Sequence, residues 1–365
     1  MRPDVKPFRH ESTGIPSVRD TGIFASSRNV VIQEEDPAPN TSEGVEFGDF
    51  TGTPTVNSLD ALAFRAILRG TGVTSSNDTA IYSVVDYNED PTALNYRLRI
   101  REGSAVAGPA ATTLAGGATM SSLGEPRVNS KGRIAVIGSF KSGTGLPATT
   151  SANDTAILSD LLTSDFSFAI VAREGDLARD ADGATIANVK FVSFTAPVLI
   201  TNNAVIFSAR IAGTGVTKAN DMGIWLWDGT TSYLVAREGD VAPGIVGTSV
   251  KFNVLGAPLA NPSGRVAFTA TLTGTGVTST NDTGLWTIEE DGLTPILRLR
   301  KGDVYEFGRV ELPVRRTIAS ISVATGSGGD DGFARGIDQD GNVAVVVSLK
   351  KGSAASGQAV FKIAP

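Results

Sequence analysis

The sequence predicts an all-β chain assembled from copies of one small antiparallel sheet, and three observations predict it. First, the pattern Asn-x-x-Gly-x-x-Ala-Phe recurs with variations, putting Phe64, Val136, Phe207, Phe268 and Val345 in one column at spacings of 72, 71, 61 and 77 residues. A tandem repeat of this length determines architecture before any single residue does. Second, the strand around each column alternates with period two: Val266, Phe268, Ala270 and Leu272 fall on one side, Ala267, Thr269 and Thr271 on the other. Third, no stretch keeps helical periodicity over three turns, while the 41 glycines supply many turns. Large residues on one face and smaller ones on the other suit a sheet lying between two copies of itself, as blades do in a β-propeller. A sheet with one wet face would carry charge there instead.

Each copy has the same internal order. A first strand, residues 265–272 in the clearest copy, leads through Gly274-Thr-Gly276 and Asn281-Asp282 into a second strand at 284–287. A third strand ends in Arg-Glu-Gly-Asp, and a fourth introduces the next copy. The Gly-Thr-Gly triplets at 70–72, 143–145, 213–215 and 274–276 give the backbone freedom of a tight reversal. The pairs Asn77-Asp78, Asn153-Asp154, Asn220-Asp221 and Asn281-Asp282 read as Asx turns bonded to their own backbone. Calcium coordination by these loops is the sharper alternative, but the dense alternating carboxylates of a calcium loop are missing.

The two ends of the chain are incomplete copies. Residues 12–24 match 274–286 and residues 30–40 match 234–244, while 342–349 and 358–363 form a first and a second strand before the chain stops. Residues 3–10, with two prolines, make a poor first strand. Second strands number six against about five of each other type. The prediction is therefore five blades of four strands over residues 25–365, a single domain closed by N- and C-terminal strands in one blade. Residues 1–24 are an N-terminal arm with a surplus strand. That strand either flanks the closing blade or crosses to a neighbouring molecule by strand addition.

Composition narrows the chemistry. The net charge of −6, without a basic stripe interleaved with aromatics, gives no support for nucleic acid. No run of about 18 apolar residues exists, hence no membrane span is expected. Zero cysteines remove disulfides and thiolate chemistry, and the single histidine, His10, near the terminus, nearly excludes a Ser-His-Asp triad or a multi-histidine metal centre. Trp225 and Trp286 share one repeat position, which makes them core residues rather than sugar platforms. No cofactor is implied, with Ca²⁺ as the one ion left open.

Symmetry breaks mark where a unique site could lie. Arg-Glu-Gly-Asp is intact at 173–176 and 237–240, but reads Arg101-Glu-Gly-Ser104, Arg300-Lys-Gly-Asp303 and Gln33-Glu-Glu-Asp36 elsewhere. Its Arg reads as a bridge to the next blade and its Gly-Asp as a turn. The largest insertion, 309–335, contains Arg315, Arg316, Asp330, Asp331 and Phe333, the candidate binding residues, since long loops on rigid scaffolds are where binding resides. Asp338 and Asp340, in Asp-Gln-Asp-Gly, form a fragment of a calcium loop without its distal glutamate and are the candidate metal ligands.

The combination of Asn-x-x-Gly-x-x-Ala-Phe, Asn-Asp-Thr-Gly-Leu-Trp and Val-Ala-Arg-Glu-Gly-Asp-x-Ala-Pro-Gly, spread over residues 13–361, resembles the bacterial tandem-repeat proteins named for their NxxGxxAF motif. The resemblance implies an exported or surface-displayed repeat protein with varied C-terminal anchors; it brings no catalytic residues. The expectation is a non-enzymatic extracellular or cell-surface module for binding or assembly, with itself or a polysaccharide as partner. Repeated grooves would add avidity for a repetitive ligand. The alternatives are a lectin-like carbohydrate-binding propeller or a glycoside hydrolase using unrepeated acids such as Asp60, Glu125, Asp330 and Asp331.

Overall fold

The computed structural model describes residues 6–9, 21–25, 28–56, 62–84, 96–106, 117–129, 131–161, 167–200, 204–246, 249–261, 263–289, 292–307, 314–324 and 336–365. They fall into two compact units, Met1–Asp176 and Leu177–Gly329 with Phe333–Pro365. All regular structure among them is β, and the sheets are the antiparallel blades of a β-propeller.

In the first unit, the first sheet joins Lys6–Arg9, Thr21–Ala25 and Arg28–Gln33. The second runs Val45–Val56, Leu62–Gly70, Thr79–Val84, Tyr96–Arg101, and the third has Ala118–Leu123, Ile134–Phe140, Thr155–Ser159 and Ala169–Arg173 as its four main strands. In the second unit, the fourth sheet is built on Thr185–Phe194, Ala204–Gly213, Met222–Trp227 and Ser232–Arg237. The fifth is Lys251–Leu255, Val266–Thr273, Thr283–Ile288 and Pro295–Arg300. The sixth is Val304–Phe307, Val314–Val323, Val343–Lys351 and Ala354–Ile363. Each complete sheet thus opens with the fourth strand of the preceding copy and continues with the first, second and third of its own.

Register repeats with the sequence. Phe64 faces Tyr82, Val136 Leu158, Phe207 Trp225, Phe268 Trp286 and Val345 Phe361 across their ladders. In three sheets an aromatic on the fourth-type strand completes a triad. Trp286 stacks on Phe268 with centroids 6.0 Å apart and meets Phe252 edge-on at 5.0 Å, and Phe191/Phe207/Trp225 and Phe47/Phe64/Tyr82 repeat the arrangement. Trp225 and Trp286 are fully buried, and their ring N–H groups donate to the carbonyls of Arg179 at 2.9 Å and Pro243 at 3.0 Å. They are core residues, as their shared repeat position predicts.

Sheets within a unit pack large face on small face. The aromatic face of the second sheet covers Ile23 and Ile32 of the first, and the Met120/Val136/Leu158 face of the third covers Ala63, Ile81 and Ile100 of the second. Likewise Ile206 and Ile224 lie under Phe252, Phe268 and Trp286, and Ala267, Leu285 and Leu299 lie under Ile318 and Val345. Burial of these faces supplies the apolar driving force at roughly 25 cal/mol per Å² removed from water.

At the chain ends, the third-type strand Arg28–Gln33 pairs with Thr21–Ala25, and Ala354–Ile363 pairs with Val343–Lys351. The surplus N-terminal strand therefore lies in a three-stranded sheet of its own. A shared closing blade is not among the ladders of the described residues.

Candidate functional site

The repeated polar residues converge on one end of each sheet, where the Asn-Asp loop meets the turn after the third strand. The Asn carboxamide oxygen accepts the backbone N–H three residues earlier: Thr74 at 2.8 Å, Thr150 at 2.7 Å, Thr217 at 2.6 Å and Thr278 at 2.8 Å. Its own carbonyl takes the Nε–H of the third-strand arginine: Arg101 at 2.5 Å, Arg173 and Arg237 at 2.7 Å, and Arg300 at 2.9 Å. This corrects the sequence expectation that the arginine bridges to the next blade. A guanidinium on its three-carbon stem reaches the adjacent loop of its own sheet, and there it satisfies a carbonyl that the reversal leaves without a ladder partner. The Gly-Asp that follows is the predicted turn, with Gly103, Gly175, Gly239 and Gly302 all at positive φ. In the first copy Glu35 takes this place at φ 66°.

The same loop brings two acids together, which the sequence reading missed. Thr79 N–H donates to Glu102 Oε2 at 3.3 Å while Thr79 Oγ1 donates to Asp78 Oδ1 at 3.2 Å. Burial, with Asp78 beside it, pushes the Glu102 carboxyl up from its ordinary range. Glu174 is pushed up by burial and by the carboxyl of Asp154, and Glu238 by burial and Asp221. In the third of these loops Arg210 pairs with Asp221. The fifth copy writes Lys301 where the others have Glu, and its Nζ lies 2.9 Å from Asp282, whose carboxyl is thereby lowered. The Glu-to-Lys change in Arg300-Lys-Gly-Asp303 was the one sequence signal of this pairing.

A second polar centre lies inside the first unit. Arg99 and Asp160, both fully buried, form an ion pair between the second and third sheets. Arg99 also donates to Ser83 Oγ at 2.7 Å, and Asp160 accepts the Ile134 N–H at 2.7 Å. Burial, reinforced by Arg133 and Arg97, pushes the Arg99 guanidinium down to about 9.

The residues singled out from the sequence separate. Arg315, on the fourth-type strand of the sixth sheet, pairs with Glu306 at 2.7 Å in the open, and Arg316 donates to the Arg315 carbonyl at 2.9 Å. Asp330, Asp331 and Phe333 lie outside the described residues, as do Asp60 and His10. Glu125 accepts the Thr53 N–H at 3.2 Å. Asp338 occupies the motif-Asn position of its copy and caps the same turn that Asn129 and Asn261 cap. Its Oδ1 accepts the N–H groups of Asp340 at 3.0 Å and Asn342 at 2.8 Å, as Asn261 Oδ1 accepts that of Arg265 at 2.8 Å. Among the described residues no three metal-ligating side chains come together. The Asp-Gln-Asp-Gly fragment forms a hairpin turn in which Asp338 takes the place of the motif Asn.

The sixth sheet differs in one further respect. The position that Ile23, Ile81, Ile224 and Leu285 hold in earlier sheets, each 0% exposed, belongs to Val360, which is 75% exposed. Beside it Ala344 and Val346 are exposed too, the latter 42%.

Among solved structures, the chain is similar to an α-L-arabinanase from Penicillium chrysogenum complexed with arabinobiose, at 13% identity over 85% of this chain and 93% of that one, with a TM-score of 0.29. It is similar to a protein of unknown function from Dyadobacter fermentans, at 13% identity over 97% and 86% of the two chains, again with a TM-score of 0.29. It is also similar to an α-L-arabinofuranosidase from Fusarium graminearum in complex with an iminosugar inhibitor, at 9% identity over 90% and 96%, with the same TM-score of 0.29. A comparison with curated proteins gives no match. Residues 8–364 match the model of DUF7453, described as a family of unknown function, and the chain belongs to that family.

Proposed function

We propose that this chain is a non-enzymatic repeat module of an extracellular or surface-displayed protein, which works by binding and assembly and self-associates through its terminal strands. One observation carries the reading: the polar residues repeated in four copies are used to hold each copy's own loops. Arg101, Arg173, Arg237 and Arg300 latch the Asn carbonyls, the Asn side chains tie the preceding turn, and turns at Gly103, Gly175, Gly239 and Gly302 close the third strands. Repetition of this kind builds a scaffold, and fold alone brings no activity. The exported location rests on the resemblance of the repeat motif.

The test is turnover. The purified chain is incubated with arabinan, sialosides and a panel of chromogenic glycosides, beside variants Glu102→Gln, Glu174→Gln, Glu238→Gln and Glu125→Gln. No turnover is expected. Hydrolysis that any of these single variants abolishes while remaining folded overturns the non-enzymatic reading. Polysaccharide is the alternative ligand to a second copy, and calorimetric titration with the same glycans measures that binding directly.

A further inference from the structure

We infer that Arg298, on the third strand of the fifth sheet, is a binding site for the carboxylate of a small organic acid or acidic sugar. The inference stands apart from the self-association proposed above and comes from comparing the copies. Each third strand carries one extra residue in its ladder to the second strand. Ile81 faces Ile100 but Tyr82 faces Leu98, and likewise Leu285 faces Leu299 but Trp286 faces Leu297. The residue left out of register is Arg99 in the second sheet, Val171 in the third, Val235 in the fourth and Arg298 in the fifth. A bulge of this kind re-aims its side chain. Val235 lies in the apolar cluster shared with the fifth sheet, and Arg99 pairs with Asp160 of the third, so the bulged residue is directed at the sheet that follows.

The two arginines are anchored alike. Arg99 donates to Ser83 Oγ at 2.7 Å and Arg298 to Thr287 Oγ1 at 2.7 Å, and these two buried hydroxyls hold the same register, opposite Ala63 and Ala267. Their surroundings then differ. In the third sheet Asp160 accepts the N–H of Ile134, two residues before the motif position Val136; in the sixth sheet Ile363 stands opposite Val343, two residues before Val345. An isoleucine thus replaces the acid of the pair. Asp338, the acid in the turn of that copy, is engaged by the N–H groups of Asp340 and Asn342 and by Lys362 Nζ at 3.5 Å. Among the described residues no carboxylate pairs with Arg298, which is half-buried beside the cluster that holds Leu285, Leu299 and Ile363. With Nε committed to Thr287, the two terminal nitrogens present the planar fork that takes a carboxylate through paired hydrogen bonds, strengthened by partial exclusion of water. Two copies fill this position with valine, so the repeat itself does not require a charge there. The Arg99–Asp160 pair shows, within the same chain, which group an arginine at this position takes. A free organic acid and a uronic acid sugar both carry it.

The experiment uses the full chain, isotopically labelled at its arginine side-chain nitrogens and titrated by NMR with sodium acetate, sodium glucuronate, glucose and sodium chloride. Arg298 is identified as the Nε–Hε signal missing from Arg298→Val, a change that copies the third and fourth sheets and should leave the circular dichroism spectrum unchanged. A saturable shift of that signal is expected with the carboxylates and none with glucose. A tighter response to glucuronate assigns the sugar acid as the source, and a tighter response to acetate assigns the free acid. Ile363→Asp rebuilds the internal pair and should weaken the apparent carboxylate affinity by at least about tenfold. No saturable shift with either carboxylate, an equal shift with chloride, or an undiminished response in a folded Ile363→Asp chain overturns the inference. The melting temperature is an independent arm that does not depend on Ile363→Asp folding: glucuronate or acetate should raise it in the wild type and not in Arg298→Val, and an equal rise in both refutes the site. None of these outcomes bears on glycoside turnover or on self-association, so the inference fails or stands separately from the reading above.

Discussion

Replacing Gly284 by Ala tests the packing logic of the aromatic triads. A Cβ built on Gly284 would lie 2.6 Å from Trp286 Cη2, 2.7 Å from Cζ3 and 3.0 Å from Leu297 Cδ1, so the indole ring must move within a core that is fully buried. Overpacking of this kind costs about 1–3 kcal/mol. Trp286→Leu alone loses the stack on Phe268 and the hydrogen bond to the Pro243 carbonyl, for a cost of roughly 2–4 kcal/mol. The third sheet already contains the combination of both changes, Ala156 with Leu158 in the same two positions, each 0% exposed. The double variant Gly284→Ala/Trp286→Leu should therefore be less destabilised than the sum of the singles by about 1–3 kcal/mol. Urea unfolding followed by near-ultraviolet circular dichroism measures all four corners of the cycle. Additivity within about 0.5 kcal/mol, or a Gly284→Ala variant as stable as the wild type, would refute the claim that the ring excludes the methyl group.

The remaining predictions concern charge. Glu102, Glu174 and Glu238 have carboxyls raised in the folded state, so folding takes up protons as pH falls from neutral toward the ordinary glutamate value of 4.5, and their contribution to stability grows in that window. Glu174→Gln should raise the neutral-pH unfolding midpoint and flatten its pH dependence between pH 7 and 5, read by thermal melts; a midpoint lowered at neutral pH contradicts the assignment. Glu174→Lys copies the fifth repeat, and a melt should show it tolerated at neutral pH, whereas Lys301→Glu should lower stability there and recover on acidification. Asp160→Asn or Arg99→Met leaves a buried charge alone and should cost roughly 3–5 kcal/mol in urea unfolding, with Arg99→Met/Asp160→Leu recovering most of it. Asp338→Asn restores the motif residue, and its melting point should match the wild type with and without calcium; a calcium-dependent shift lost in the variant would make Asp338 a ligand.

Much of the fold was legible because period-two alternation and glycine-rich reversals are local properties that repeat. Phe268 opposite Trp286, the Asn281 loop and the turn at Gly302 all lie where the repeat places them. The side-chain partners across the loop were not legible. Arg173 and Asn153 are separated by a whole second strand, and only the ladder register shows that the guanidinium reaches its own sheet rather than the next. The acid pairs were hidden for the same reason, since Asp154 and Glu174 look like two independent turn residues until the strands align. The turn at Asp338 was not read as a copy of the Asn261 turn, because a carboxylate replaces the motif carboxamide there as an acceptor of backbone N–H groups. At the termini, sequence counting found the surplus strand but not its partner.

The arginine latch has a consequence for how such chains change length. Because each Arg–Asn tie closes within a single copy, a duplicated repeat carries its loop latch with it, even though single polar ties such as Arg99–Asp160 and Asn261 to the Asp338 carbonyl cross between sheets. Insertion or loss of one copy by unequal recombination would then leave every loop latch intact. A latch closed inside the unit and largely apolar adhesion between units make the repeat portable, and divergent copies such as the third, with Val136 and Leu158 in place of aromatics, can drift in side-chain size while keeping their own loop ties.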